Sequence, residues 1–181
     1  DLALGDRSGA LILNIYEGSP ADEGGLLPGD FVIAMNGNPL ENVSQLSRQV
    51  ASFSPGESVR FRVLRYGVEQ RVTVNITGRP SEEELRRQIP SLWPGIVVMN
   101  VTDALRERVG IPASVSGVLV SQVQDGSAAA DAGLRQGDIV ERIGGQAAGG
   151  MMEFYRGLNE AGRRVALQIN RGGNRLETTL R

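Results

Sequence analysis

The sequence contains no cysteine, no histidine and no lysine, so its 181 residues carry all their positive charge on 19 arginines. Without cysteine there is no disulfide and no thiol nucleophile, and without histidine the usual general base and zinc ligand are missing. The lack of lysine excludes a serine–lysine dyad, and no Gly-x-Ser-x-Gly elbow is present. These absences predict a chain with no catalytic residues, no metal site and no cofactor.

Aromatic residues make up only 4% of the chain, and the formal net charge is −2. Nucleic-acid binding requires a basic face, so this balance predicts no nucleic-acid partner. No apolar stretch approaches the roughly 18 residues of a membrane-spanning helix, which predicts no membrane span. Residue 1 is Asp rather than Met, and no signal peptide is visible, so we expect a piece of a larger protein.

Glycine is abundant, with 24 residues, and short apolar runs lie between the glycines, which indicates many tight turns and a β-rich fold. The chain also contains an internal repeat. At an offset of 108 residues Gly9 lies over Gly117, and after the longer predicted helix an offset of 106 places Val59 over Val165. Two copies of this length predict two similar globular modules rather than a solenoid.

Each copy predicts a strand, a very short helix, a second strand, a longer helix and a final pair of strands. In the first copy the elements are Ala10–Tyr16, a short helix between Ser19 and Gly25, Phe31–Met35, Asn42–Ser52, Val59–Leu64 and Gln70–Ile76. In the second copy they are Val118–Val123, a short helix between Ser127 and Gly133, Ile139–Ile143, Gly150–Ala161, Val165–Asn170 and Arg175–Leu180. Residues 1–77 and 92–181 are the predicted modules.

Residues 78–91 form the predicted linker between the modules. Ser81 and Glu84 have the spacing of a capping box, and glutamates precede arginines in this stretch, which suits the helix dipole. We therefore expect a short solvated helix in the linker.

The repeated motif resembles the PDZ modules of bacterial proteases. It is written here as Gly18-Ser19-Pro20-Ala21, Gly25-Leu26-Leu27-Pro28-Gly29-Asp30-Phe31-Val32 and Asn36-Gly37, and the second copy has Ala128 for the proline and Gly144 for the asparagine. Two such modules in series, with Trp93-Pro94-Gly95-Ile96 before the second, resemble the C-terminal half of periplasmic trypsin-like serine proteases of the high-temperature-requirement (Do/Deg) family. The glycines and aspartates of the motif are interpreted as turn formers.

The resemblance implies a β-rich α+β fold of two partly open barrel or sandwich modules, each with one short and one longer helix. It implies binding of C-terminal or extended peptides from unfolded or substrate proteins, and recruitment or sensing of these for an attached serine endopeptidase. It also implies a periplasmic location and a parent protein that is a homo-oligomer through its protease domain. A PDZ tandem of an intramembrane metalloprotease and a stand-alone scaffold module stay open as alternatives.

The resemblance also implies where a peptide would bind. In such modules an apolar–Gly–apolar loop holds the ligand's carboxylate with backbone N–H groups, and the peptide adds as a strand beside the longer helix. The predicted binding residues are Trp93, Pro94, Gly95, Ile96, Val97, Val98, Met152, Tyr155 and Asn159. Pro94 departs from the family pattern because it has no N–H. The competing interpretations are that Trp93 and Pro94 anchor the linker, and that Met152 and Tyr155 only widen the core face.

The two modules differ in this predicted site. Where the second has Met152 and Tyr155, the first has Ser44 and Ser47 at an offset of 108, which predicts a shallower and more polar pocket. A counterpart of the receiving strand would precede Asp1. We therefore expect peptides to bind the second module.

Overall fold

A computed structural model describes residues 7–78 and 92–181 of the chain. The chain divides into two compact units, one ending at Leu92 and the other beginning at Trp93. We refer to residues 7–78 as module 1 and to residues 92–181 as module 2, and we describe each separately. Within the described ranges, no helix has both the length and the apolar character needed to cross a membrane. The helix predicted to begin at Ser81 lies outside these ranges.

Module 1 is built on one antiparallel sheet with strand order β1-β3-β5-β6, and β4 lies beside β3. Its elements are β1 (Ala10–Leu11), β2 (Ile15–Tyr16), α1 (Pro20–Glu23), β3 (Phe31–Met35), β4 (Asn38–Pro39), α2 (Val43–Ala51), β5 (Ser58–Arg65) and β6 (Val68–Asn75). Alternation along β5 buries Val59, Phe61 and Val63, as expected for a strand with one face on the core. Helix α2 begins where the Asn42 side chain accepts a hydrogen bond from the Gln45 N–H, as an N-cap residue does.

Module 2 repeats this plan and extends it. Its elements are β7 (Leu92–Trp93), β8 (Ile96–Asn100), α3 (Asp103–Val109), β9 (Val118–Val123), α4 (Ala128–Asp131), β10 (Ile139–Ile143), β11 (Gln146–Ala147), α5 (Met151–Ala161), β12 (Val165–Arg171) and β13 (Asn174–Leu180). The sheet has the order β13-β12-β10-β9-β8, and β11 lies beside β10. The core of the module includes Val118, Val140, Ile143, Phe154, Leu158 and Leu167, each at most 1% exposed.

The prediction of one strand over Ala10–Tyr16 was wrong, because this stretch holds two short strands, β1 and β2. The corresponding strand of module 2, β9, is continuous, and β8 pairs with it along its length from Ile96↔Val123 to Asn100↔Val118. The described residues of module 1 contain no counterpart of β8. The strand is therefore continuous in module 2, where β8 pairs with it. A local apolar pattern carries no information about such a partner strand.

Helix α3 was not predicted, and it gives module 2 a third helix. Its signals are local: the Thr102 hydroxyl accepts a hydrogen bond from the Leu105 N–H, and the helix ends at Gly110 with φ 71°. Threonine is a common N-cap residue, and glycine readily adopts the left-handed conformation that ends many helices. The Arg106 guanidinium then bonds the carbonyls of Pro112 and Val115 and so ties the helix to the loop that follows it.

A buried ion pair occupies the same place in both modules. Asp30 of module 1 and Asp138 of module 2 are at most 1% exposed, and each accepts two hydrogen bonds from an arginine, Arg65 or Arg171. Each arginine also donates to a glycine carbonyl, that of Gly25 or Gly133. The aspartates do bond backbone N–H groups of their turns, as predicted, but their arginine partners were missed.

Gly117 marks a close approach of the chain to β10. A Cβ atom built on it would lie 2.2 Å from the Val140 carbonyl oxygen, and one built on Gly9 would lie 2.3 Å from that of Val32. Only glycine allows the backbone to approach this closely, so the first glycine of the repeat is required at the same point of each module. The predicted β-rich α+β class is confirmed: both modules have antiparallel sheets with short helices, and neither described sheet closes into a barrel.

Candidate functional site

Strand β8 forms one edge of the sheet of module 2. On its inner side the Gly95 carbonyl accepts from the Gln124 N–H at 2.8 Å, and the Val97 carbonyl accepts from the Ser121 hydroxyl at 3.0 Å. Backbone groups along a strand alternate between its two sides, so those of Ile96 are directed to the outer edge, and the register of β8 on β9 shifts between Val97 and Val98. Among the described residues β8 pairs with β9 alone, so its outer edge has the geometry that accepts a further strand.

Helix α5 runs beside β8 and is joined to it near both ends. The Asn100 side-chain oxygen accepts a hydrogen bond of 2.8 Å from the Met151 N–H, where the helix begins. Just past the end of the helix, the Arg163 guanidinium lies 5.3 Å from the centre of the Trp93 ring. The strand and the helix therefore run in opposite directions. We call the surface between them the β8–α5 seam.

The loop that enters β8 is held by its carbonyl groups. The Pro94 carbonyl accepts from the Ala129 N–H at 3.0 Å, and the Gly95 carbonyl accepts from Ser127 Oγ at 3.3 Å as well as from the Gln124 N–H just after β9. In a trans peptide the N–H points opposite to the C=O of the same plane, and the peptides after Pro94 and Gly95 are trans. The N–H groups of Gly95 and Ile96 are therefore directed away from α4 and toward the outside of the loop.

Ser127 holds the entry loop of β8, a role that was not predicted from the sequence. It was predicted only as the cap of α4, and it does accept a hydrogen bond from the Ala130 N–H. Its hydroxyl is also fully buried and donates toward the carbonyls of Gly95 and Gln124. The signal available in the sequence was the repeated Gly-Ser pair, since Ser127 lies over Ser19 at the offset of 108.

The predicted residues of the loop and strand lie together at the seam. Trp93, Pro94 and Gly95 are buried, as are the side chains of Ile96 and Val98, while Val97 is half-buried. The Trp93–Pro94 peptide bond is cis. The buried side chains contribute to the core, so any ligand on this strand would meet backbone groups more than side chains.

The three predicted helix residues have different surroundings. Met152 and Asn159 are half-buried, whereas Tyr155 is 1% exposed and packs edge-on against Phe154 at a centroid distance of 5.3 Å. Burial raises the pKa of the Tyr155 phenol. In this structure Tyr155 is part of the core, as the competing interpretation expects, and Met152 lies on the more accessible side of the helix.

The described residues hold no cluster of three or more carboxylates that is placed to bind a metal ion. The seam itself offers backbone N–H groups, an edge strand and apolar side chains. Such an arrangement can hold an extended chain and an anionic group, but it places no nucleophile beside a base.

Comparison with known proteins gives one family model that matches most of the chain, described as "PDZ domain" and covering residues 4–76 and 82–181. The curated relatives include probable periplasmic serine endoproteases, DegP-like, from two bacteria. The one from Chlamydia trachomatis serovar D is 30% identical over 91% of this chain and 33% of its own length. The one from Hahella chejuensis is 30% identical over 94% of this chain and 38% of its own length. This chain thus spans about a third of these relatives.

Among solved structures, the HtrA3 PDZ domain bound to a phage-derived ligand is 23% identical to this chain. The match covers 48% of this chain and 79% of that one, with a TM-score of 0.43. The predicted resemblance to the tandem PDZ modules of Do/Deg proteases is confirmed, and the names of the relatives support the predicted periplasmic location by family resemblance. The two matched ranges correspond to the two copies of the repeat, so the chain belongs to the PDZ-domain family and contains two such domains in series.

Proposed function

We propose that module 2 binds the C-terminal segment of a polypeptide at the β8–α5 seam. The observation that carries this proposal is the position of β8 at the edge of the sheet beside α5, where among the described residues it pairs with β9 alone. Such an edge can pair with an extended peptide as an added strand, and the loop that enters the strand can hold the peptide's terminal carboxylate.

The side chains of the seam would favour an apolar C-terminus. Met152 and Val97 are half-buried beside the strand and the helix, so they can lose further surface to a bound side chain. Pro94 supplies no N–H, which leaves one possible donor fewer at the carboxylate. We expect micromolar affinity, and a Kd of 1 μM corresponds to about −8 kcal/mol.

In the larger protein we propose that this binding recruits or senses substrates for an attached serine endopeptidase in the periplasm. The support is the naming of the relatives as periplasmic serine endoproteases. The residues of this chain would take no part in the chemistry, because the sequence holds no histidine, cysteine or lysine to activate a nucleophile. We further propose that the whole protein is a homo-oligomer through its protease domain.

The site can be tested by fluorescence anisotropy with labelled pentapeptides that carry four randomised residues followed by valine. Met152→Ala should weaken binding severalfold, because about 2 kcal/mol or less of apolar contact is lost. The matched control is Ser44→Ala, which changes the corresponding position of module 1 and should leave binding unchanged. Equal affinity of the Met152→Ala variant and the unmodified chain would place the site elsewhere.

A further inference from the structure

The outward face of the β5–β6 hairpin of module 1 carries three arginines close together. Alternation along β5 places Arg60 and Arg62 on the side of the strand that faces away from the core, and Arg71 of β6 lies directly across from Arg62 in the register of the two strands. All three residues are exposed, and β6 is the outermost strand of the sheet. We call this surface the β5–β6 basic face.

The positive charge of this face is only partly neutralised. The Glu69 carboxylate lies 3.6 Å from the Arg62 guanidinium, and the two side chains are 50% and 44% exposed. Within residues 7–78 and 92–181, neither Arg60 nor Arg71 forms an ion pair. Like charges directly opposite each other on neighbouring strands are unfavourable, so an anion beside Arg62 and Arg71 would be stabilised.

The same hairpin of module 2 is built without arginines at these positions. At the offset of 106, Arg62 and Arg71 lie over Gln168 and Glu177. There the Gln168 side-chain amide donates a hydrogen bond of 2.9 Å to the Glu177 carboxylate, across the corresponding point of the sheet. The fold therefore does not require the arginines of module 1, which favours a role for them in binding.

The spacing of the arginines matches that of carboxylates on an extended chain. Residues two apart on a strand are separated by about 7 Å, which is the spacing of Arg60 and Arg62 and also that of every second side chain of an extended peptide. A guanidinium bonds a carboxylate strongly, often through two parallel hydrogen bonds. With a formal net charge of −2, the chain as a whole offers little attraction to a nucleic acid or an anionic membrane.

We propose that the β5–β6 basic face binds an acidic segment of a polypeptide partner, in extended conformation and with Asp or Glu at every second position. Arg60 and Arg62 bond successive carboxylates of the segment, and Arg71 lies beside the carboxylate that Arg62 bonds. Glu69 competes with the segment for Arg62. Module 1 thereby has a binding role of its own, which does not depend on the proposed peptide site of module 2.

The test uses fluorescence anisotropy on the whole chain with a decapeptide of alternating serine and glutamate, labelled at its N-terminus and amidated at its C-terminus. Arg71→Gln should weaken binding about two- to fivefold, the range expected for an exposed ion pair, and Glu69→Gln should tighten it. The matched control is Arg108→Gln, which removes the same charge from an exposed residue of α3 and should leave the affinity unchanged. A decapeptide of alternating serine and glutamine should not bind.

Binding should also weaken as the salt concentration rises from about 50 to about 200 mM, because the pairs are exposed, and the pentapeptides ending in valine should not displace the decapeptide. Absence of binding at low salt, or equal losses in the Arg71→Gln and Arg108→Gln variants, would overturn the proposal. Displacement by the pentapeptides would place the acidic segment at the β8–α5 seam instead. Binding of phosphatidylglycerol vesicles that requires Arg71, without binding of the decapeptide, would assign the face to a membrane and would also overturn the proposal.

Discussion

The Asp138–Arg171 pair shows how a single carboxylate can join distant parts of a small domain. Asp138 is 1% exposed and accepts from the Arg135 N–H in its own turn as well as from Arg171 on β12. Hydrogen bonding to Asp138 raises the pKa of the Arg171 guanidinium, so the arginine stays charged. An ion pair of this kind is weak evidence for net stability, but breaking it leaves an uncompensated buried charge.

Arg171→Met should therefore destabilise module 2 by about 3 kcal/mol, because Asp138 stays buried without its cation. The control is Arg175→Met, which breaks a pair between Arg175 (78% exposed) and Glu141 and should cost at most about 1 kcal/mol. Urea unfolding of both variants measures the difference. If the two substitutions lower the free energy of unfolding by the same amount, the buried pair contributes no more to stability than the exposed one.

At the scale of elements, the sequence predicted the first and last residues of α5 well. It predicted less well which side chains of this helix are buried. Phe154 and Leu158 form an apolar stripe in the core, and Tyr155, which was predicted to bind peptide, is buried too. Adjacent residues on a helix lie about 100° apart, and both are covered because α5 contacts β10 as well as the edge strand β8. That arrangement depends on contacts between distant segments, which helical periodicity does not contain.

Burial of Tyr155 makes the stability of module 2 depend on pH in the alkaline range. The folded pKa is raised while the unfolded phenol titrates near 10, so the contribution is intact below about pH 9 and is lost as pH rises above about 10. Between pH 8 and pH 11 we expect a loss of about 1 kcal/mol, measured by urea unfolding. Tyr155→Phe should lack this loss, and an identical pH dependence in both proteins would contradict the assignment.

The strands and turns were predictable because their signals are local. Glycine-containing turns such as Asn36-Gly37 and Gly144-Gly145 separate neighbouring strands, and the ends of β3, β9 and β10 agree with the predicted ranges. The carbonyl orientations at Pro94 and Gly95 were not predictable, since they depend on Ala129, Ser127 and Gln124, about 30 residues further along the chain. The sequence could therefore indicate where the candidate site lies but not how its donors point.

At the scale of the whole molecule, the chain repeats one architecture and differs between the copies at the edge of the sheet. Module 2 has β8 beyond β9, and the described part of module 1 ends its sheet at β1. We propose that residues 1–77 and 92–181 fold independently, with 78–91 as a linker. Arg171→Met should then move only one of two unfolding transitions, and a shift of both by the same amount would contradict independence.

The central claim is that module 2, rather than module 1, holds a terminal carboxylate at the start of β8. The direct measurement is a titration of the whole isotope-labelled chain with the pentapeptides ending in valine, followed by backbone amide chemical shifts. We predict that the chemical-shift changes concentrate on residues 95–100 and on α5, that the amides of residues 7–78 do not shift, and that the changes become much smaller with the amidated peptides. Shifts that concentrate on module 1, or that are equal for free and amidated peptides, would contradict it.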